Sequence, residues 1–419
     1  MTKSPLGWLA GRARRGGVLL ATRIHLPEAA AASFRLDGVE RALADRGVPV
    51  RVLTTTPGAG QHDEPADDPR GVSVSRWPAL RDESGYLRGY LPYMSFDLPL
   101  AGRLLAQARP DVVLVEPPPT TGAVVRAIAA LRRLPYVWYA PDVWSTAAAS
   151  TGAPTAVVRA VRALESFAVR GAAGVVAINE EVAQEVRALG ARRVAVVPNG
   201  IDTSVFRADG PAPSAAERER LGITGRYFVY AGTASEWQDA GVFAQAIEQV
   251  RTRHPDAQVL YLGQGSDWQA IAERAAAIAP GPDGAPAVVM HGLMPPAQAA
   301  AWQRGAVAAL VSIKPGLGYD FAYPTKVLAA LACGIPVLYA GVGPVVEDVE
   351  AHDLGWTSDH EPTAVAAAMC RALEAGPGEP GRAERLHQWV EDNRSLAATG
   401  RAVAGLLRSA VLERRAARR

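Results

Sequence analysis

The feature that most constrains this chain is an alternation. Short runs of buried-type residues recur along it, each followed by a segment with the apolar spacing of a helix. GGVLLATR precedes FRLDGVERALADRG, and VPVRVLTTTP follows. DVVLVEPP, TTGAVVRAIAALRRL and PYVWYAPDVW repeat the pattern, as do GVVAINEE, EEVAQEVRALGA and RVAVVPNG. Near-continuous apolar strands separated by helices predict a parallel sheet covered on both faces. A polar stretch with proline and glycine, RADGPAPSAAERERLGIT at 207–224, interrupts the series. A second series then begins with RYFVYAGT and ends with KVLAALACG and IPVLYAG. The expected fold is therefore α/β, with two Rossmann-like parallel-sheet domains at 1–206 and 207–394 and a terminal helix over 395–419. Ligands on such sheets bind beyond the carboxyl ends of the strands, so functional residues are expected in post-strand loops and at helix starts.

Composition narrows the function classes. The 419 residues fit two or three domains, and a net charge of +2 argues against a general nucleic-acid footprint. The two cysteines, Cys333 and Cys370, lie in apolar helical contexts and form no CxxC pair, which points to a reducing, cytoplasmic setting. Near the N-terminus the apolar run VLLA is too short for a signal peptide. The longest uncharged run, 327–346, is broken by Gly334, Pro336, Gly341, Gly343 and Pro344 and reads as helix, turn and buried strand. No metal-ligand cluster or paired-carboxylate motif stands out.

Of 44 basic residues only Lys3, Lys314 and Lys326 are lysine, and the last two share the segment IKPGLGYDFAYPTK. In YPTKVLAALACGIPVL, Pro324 suits the first turn of a helix. Thr325 and Lys326 then lie where unbonded N–H groups and the positive end of the helix dipole face outward. Such a start with a lysine is an anion site suited to phosphate, or else the cap of a core helix with a solvated lysine. Asp142, in APDVW after another strand, is the best acidic candidate for a reacting centre, or the N-cap of the next helix. LGQGSDW contains a GxG whose third glycine position is Trp268, a weak dinucleotide signal that also reads as a tight turn. His291 reads more readily as a packed strand end than as a catalyst. YLRGYLPYMSF (86–96) reads as an acceptor pocket, a membrane-contact loop, or a packed hairpin or helix turn. ERRAARR at the C-terminus reads as a solvated tail or a contact to anionic lipid.

Several of these segments resemble one family. PTKVLAALACGIPVL resembles the PSK segment of the retaining, family 4 glycosyltransferases of the GT-B fold. VAVVPNGIDTSVF (194–206) is similar to the interdomain VxVIPNGVDxxxF of that family, and YVWYAPDVWST to the DLWP segment of its polysaccharide- and colanic-acid-type members. LLATRIHLPEAAAASFRLDGVERALADRGVPVRVLTTTP resembles the first strand, loop, helix and second strand. LGQGSDW and VVMHGLMP resemble the LGxG and VxFxGxV elements. The order is preserved over roughly residues 17–400.

The resemblance implies two domains facing across a cleft, with a nucleotide diphosphate sugar on the second and the acceptor on the first. Donor contacts would come from Gly232, Thr233, Gln238, Gly263, Gln264, Gly265, His291, Gly292, Leu293, Lys314, Tyr323, Pro324, Thr325 and Lys326. Glu28, Arg35 and Trp144 would face the acceptor, and Lys326 and Asp142 would carry the chemistry. The donor expected from family frequency is a UDP-sugar carrying a hexosyl or N-acetylhexosaminyl group, with no cofactor and no metal. The acceptor would be a glycan, a lipid-linked molecule or a small molecule, with weak peripheral contact to the inner membrane face as a further expectation. Three positions depart from the pattern: Ala329 stands where a glutamate usually holds the donor ribose, Phe321 where another acid stands, and Thr233 where an arginine is frequent. These departures keep two alternatives open: a non-catalytic GT-B nucleotide-binding or partner protein, and a sugar-nucleotide epimerase.

Overall fold

The computed structural model describes residues 16–28, 30–58, 71–82, 87, 89–150, 153–281, 284–376 and 378–417. Lys3, nearly all of the loop at 58–70, Tyr86, Arg88 and the last two residues of ERRAARR lie outside the described residues. The chain divides into two compact units, Met1–Asn199 with Leu396–Arg419, and Gly200–Ser395. The division at Asn199 precedes the expected boundary at 206, because PNGID is already part of unit 2. Ile201 bridges to Ser395 there, and Ile201 and Phe206 pack on that unit's core.

In unit 1 the strands are β1 (Val18–Ala21), β2 (Val50–Thr55), β3 (Val72–Trp77), β4 (Val112–Val115), β5 (Tyr136–Ala140), β6 (Gly174–Ala177) and β7 (Val194–Val196). The helices are α1 (Ala31–Ala44), α2 (Tyr90–Ala106), α3 (Pro119–Arg132), α4 (Trp144–Ser150), α5 (Thr155–Gly171) and α6 (Glu180–Ala188). All strands run parallel in the order β3-β2-β1-β4-β5-β6-β7. The inner strands VLLA, VVLV, YVWYA and GVVA are buried at every residue, as covering on both faces requires. β3 (VSVSRW) alternates between half-buried and exposed because it is an edge strand. From Tyr90 onward the segment read at 86–96 is the start of α2, whose Phe96, Leu100 and Leu104 join the core with α3 and α5.

The opposite face of this sheet is covered by α1 and α15 (Leu396–Ala416). Their crossing is close because Gly38 and Gly400 meet, and a Cβ on Gly400 would stand 2.0 Å from the Gly38 carbonyl oxygen. In a helix interior glycine costs about 1 kcal/mol relative to alanine, but an overpacked contact with backbone costs about 1–3 kcal/mol. Gly400→Ala should therefore lower the stability of unit 1. A Cβ on Gly405, in the same helix, would meet nothing within 4 Å, so Gly405→Ala should stabilise by about 1 kcal/mol. Opposite shifts in urea midpoint for the two variants are the check.

Unit 2 contains α7 (Ala215–Leu221), β8 (Tyr227–Thr233), α8 (Gly241–Arg251), β9 (Gln258–Gln264), α9 (Trp268–Ala277), β10 (Val288–His291) and α10 (Pro296–Arg304). It continues with β11 (Ala309–Ser312), α11 (Thr325–Ala332), β12 (Val337–Ala340), α12 (Pro344–His352), β13 (Gly355–Ser358), α13 (Pro362–Glu374) and α14 (Arg382–Asn393). Its parallel sheet has the order β10-β9-β8-β11-β12-β13. The order reverses between β8 and β11, the position where open parallel sheets bind ligands. No described helix of either unit is long and apolar enough to cross a membrane.

Candidate active site

The C-terminal end of β8 and the start of α11 enclose a cavity of about 780 Å³ in unit 2. Of the donor-side residues read from the sequence, Gly232, Thr233, Gln238, Leu293, Pro324, Thr325 and Lys326 line it. Lys326 is the single charged side chain among its lining residues. Its Nζ donates to the Tyr230 hydroxyl at 2.6 Å and to the Thr233 carbonyl at 2.7 Å, and lies 4.3 Å from the Tyr230 ring centroid. Among the described residues no carboxylate pairs with it, and burial pushes its pKa down to about 7. Gly232 explains how the lysine reaches this place: its φ is +135°, and a Cβ there would stand 3.1 Å from Lys326 Cε.

α11 begins one residue later than expected. Pro324 is its N-cap, with ψ 129°, and Thr325 and Lys326 are its first two residues. Their N–H groups have no intrahelical acceptor, and both residues line the cavity. Leu293, Met294, Pro296 and Ala299 supply an apolar wall. Gln303 also lines the cavity; it is buried, and among the described residues its Oε1 has no hydrogen-bond partner. Ala329, another lining residue, offers no polar group there.

The other donor-side candidates lie outside this lining. Lys314 ion-pairs with Asp239 at 2.9 Å, and that hydrogen bond raises its pKa. Its backbone N–H holds the Trp237 carbonyl, and Trp237 stacks on Tyr319 at 4.8 Å, so Lys314 ties two loops together. Gly263 and Gly265 serve backbone packing, since a Cβ on each would stand 2.0 and 1.8 Å from the carbonyls of Gly232 and Ala234. Gln264 is exposed, and His291 Nδ1 lies 3.0 Å from the Gly292 carbonyl at the end of β10. Tyr323 packs under the Arg394 guanidinium, which pairs with Asp348.

Unit 1 gathers a second polar cluster beyond the ends of β1, β4 and β5. Arg35 Nη2 donates to Glu116 Oε1 at 2.8 Å, and the pair is buried. The Arg35 guanidinium lies 4.8 Å from the Tyr139 ring centroid, while Arg35 Nε and the Tyr139 hydroxyl have no hydrogen-bond partner among the described residues. Burial opposes the charge on Arg35, but Glu116, Tyr139 and Asp142 together outweigh it and raise the pKa. Asp142 is solvent-exposed. Displacement of water by the surrounding protein and repulsion from Glu165 raise its pKa, and Arg35 pulls the other way. Asp142 does not cap α4: the Trp144 and Ser145 N–H groups bind Glu165 at 2.8 and 3.1 Å. The Trp144 ring meets Tyr93 edge-on at 5.7 Å, with Arg23 4.3 Å from the Tyr93 ring centroid. Glu28 is buried in an ion pair with Arg81 at 2.9 Å.

Glu116, Glu165, Tyr230, Trp237 and Gln303 are site residues that sequence reasoning missed. Glu116 follows the strand VVLV directly, and that position was its one signal. Glu165 and Gln303 sit inside helices and carry none. Among the described residues no group of three or more His, Cys, Asp or Glu side chains could hold a metal ion.

Comparison with known proteins bears on both units. Residues 30–200 match the family described as glycosyl transferase 4-like domain, and residues 225–375 match glycosyl transferases group 1. No protein of curated function matches by sequence. Among solved structures, HepE from Anabaena in complex with UDP and glucose is 16% identical, with 94% of this chain and 100% of that chain covered and a TM-score of 0.64. Sucrose-phosphate synthase from Thermosynechococcus elongatus is 16% identical, covers 95% and 100%, and has a TM-score of 0.61. A putative UDP-N-acetylglucosamine 2-epimerase from Listeria monocytogenes is 12% identical, covers 96% and 98%, and has a TM-score of 0.60. At these identities the structures speak to the fold, while the two family matches speak to the lineage. The chain belongs to the family 4-type glycosyltransferases of the GT-B fold.

Proposed function

We propose that the protein moves a sugar from a nucleotide diphosphate donor, UDP-linked, to a hydroxyl of a glycan, lipid-linked or small-molecule acceptor, with retention of anomeric configuration and without a metal. The observation that carries this reading is Lys326: one half-buried ammonium, lacking a carboxylate, at a helix start in a cavity with no other charge. Such a cation is poised for an anion. Cleavage of the sugar–phosphate bond leaves growing negative charge on the diphosphate, and preorganised donors there lower the barrier. Lys326 and the N–H groups of Thr325 and Lys326 supply that charge. The wall of Leu293, Met294 and Pro296 suits the flat base. Gln303 is the polar side chain available to the ribose hydroxyls where Ala329 offers none. The binding of UDP by HepE supports the choice of base. In unit 1, Asp142 and the Arg35–Glu116 pair are the groups we assign to the acceptor hydroxyl, with Trp144 beside them.

The test is incubation with UDP-, GDP-, ADP- and dTDP-sugars and an acceptor panel, with the anomeric configuration of the product read by NMR. The expected result is transfer from a UDP-sugar with the donor's anomeric configuration kept, undiminished by a chelator. An inverted product would overturn retention. Release of an epimerised sugar nucleotide, or nucleotide binding without turnover, would replace this reading with one of its alternatives.

A further inference from the structure

A second cavity, of about 360 Å³, lies in unit 1 at the amino ends of β1 and β4, where α15 packs beside the end of α1. Its lining is largely apolar: Val18, Leu43, Val112 and Leu407 are buried, and Leu412 is 52% exposed. Gly405 leaves it open, since a Cβ there would meet nothing within 4 Å. The charge of the lining is one-sided. Arg401, Arg408 and Arg415 recur every seven residues, which sets them on one side of α15, and Arg46 follows α1. Asp111 is the single carboxylate among the lining residues, and it is already engaged. Its Oδ2 accepts from the Gly17 N–H at 3.0 Å and its Oδ1 from Arg415 at 3.2 Å. Arg46 donates to the Ala42 carbonyl at 2.6 Å. Arg401 and Arg408 are exposed and form no hydrogen bond or ion pair among the described residues. The other carboxylates of α1 and α15 are Asp37, Glu40 and Glu413, which pair with Arg41, His25 and Arg193. Asp45, just after α1, lies outside the lining.

We infer that this cavity binds a small amphipathic anion, an apolar body with one carboxylate or phosphate head. Small-molecule sites are concave, of about 300–1,000 Å³, and mostly apolar, with a few polar groups that fix orientation. Here the apolar lining takes the body, and Arg401 and Arg408 take the head. Guanidinium groups present paired donors that match carboxylate and phosphate oxygens. Four arginines against one engaged aspartate reject a cationic head, and a neutral guest would use the apolar lining alone. Position gives the role. Ligands of open parallel sheets sit beyond the carboxyl ends of the strands, where Arg35, Glu116 and Asp142 gather. A small molecule at the opposite ends of β1 and β4 does not reach them, so it acts as an effector and not as an acceptor. The inference rests on the residues of this cavity and not on the donor reading, so either can fail without the other.

The test is titration calorimetry of the full chain with decanoate, decyl phosphate and decanol, each kept monomeric, at low and high salt. The anions should bind, and more weakly at high salt. Decanol should bind about tenfold more weakly or less still, since a hydrogen bond to a charged group is worth about that factor. The tighter of the two anions identifies the head. Arg401→Gln/Arg408→Gln should weaken the anions by about tenfold or more and bring them level with decanol. Gly405→Leu should abolish binding by filling the cavity. Leucine is the better helix former and meets open space there, so this variant should melt no lower than the parent. Melting curves on the same samples show that each variant is folded. Decanol binding as tightly as decanoate, anion binding unchanged in either variant, or no binding of any of the three probes would overturn the inference.

Discussion

Lys326→Met should abolish stabilisation by nucleoside diphosphates while making the unliganded protein more stable at neutral pH. Both effects follow from one displaced equilibrium. Burial lowers the lysine pKa from 10.5 to about 7, so the folded state releases this proton before the unfolded chain does. Between about pH 7 and 10.5 the unfolded chain binds more protons, and unliganded stability rises with pH across that window. Below pH 7 the cost of burying the charge is fully present, and methionine removes it. A bound diphosphate reverses the sign, because it favours the ammonium and draws a proton onto it. UDP affinity should therefore fall above pH 7, by up to about tenfold per unit, until the lysine pKa of the complex is passed. Truncating one partner of a buried charge pair costs about 2–5 kcal/mol, so Lys326→Met should weaken UDP binding by about a hundredfold or more. Titration calorimetry at pH 7 and 9, in buffers of different ionisation enthalpy, reads affinity and proton uptake together. Equal affinity at both pH values, with the methionine variant binding as the parent does, would place the diphosphate elsewhere.

The same lysine shows what was legible in the sequence. Its scarcity against an arginine background, and a proline before an apolar helix, marked 324–326 as a helix start with a charge. That Lys326 would rest on Tyr230 was hidden, because the two lie on different strand–helix units brought together only by the sheet order β8-β11. Lys314 looked like a second member of the same cluster, yet it turns to Asp239 and lines no part of the cavity. Strands buried on both faces announced themselves as apolar runs. β3 did not, since an edge strand alternates over six residues and resembles any polar loop. α2 was obscured by Pro92 and Pro99, which break the helical reading although Pro92 sits in the first turn, where its missing N–H costs nothing. Asp142 was visible as a post-strand acid, but the cap it might have supplied comes from Glu165, inside a later helix. Periodicity thus reports which elements exist. Polar partnerships between residues far apart in sequence depend on sheet order, which periodicity does not encode.

The second large effect concerns such a partnership. Arg35→Met should destabilise unit 1 by about 3–5 kcal/mol, because it leaves Glu116 charged and buried without its partner. For a cooperative unit of this size that is a fall in Tm of about 6–20 °C. Removing the carboxylate charge as well, in Arg35→Met/Glu116→Gln, should recover most of the loss, since replacing a buried pair with uncharged groups is often neutral or stabilising. The double variant then separates two reasons for the pair to be there. If it served packing alone, sugar transfer would return with stability. Arg35 Nε and the Tyr139 hydroxyl, without a hydrogen-bond partner among the described residues, and the influence of Arg35 on the exposed Asp142 argue for a role toward a ligand. The expected outcome is therefore a double variant that melts near the parent, binds UDP as the parent does, and transfers sugar poorly. Recovery of transfer together with Tm would reduce the Arg35–Glu116 pair to a structural contact and leave Asp142 as the acceptor-side group to pursue.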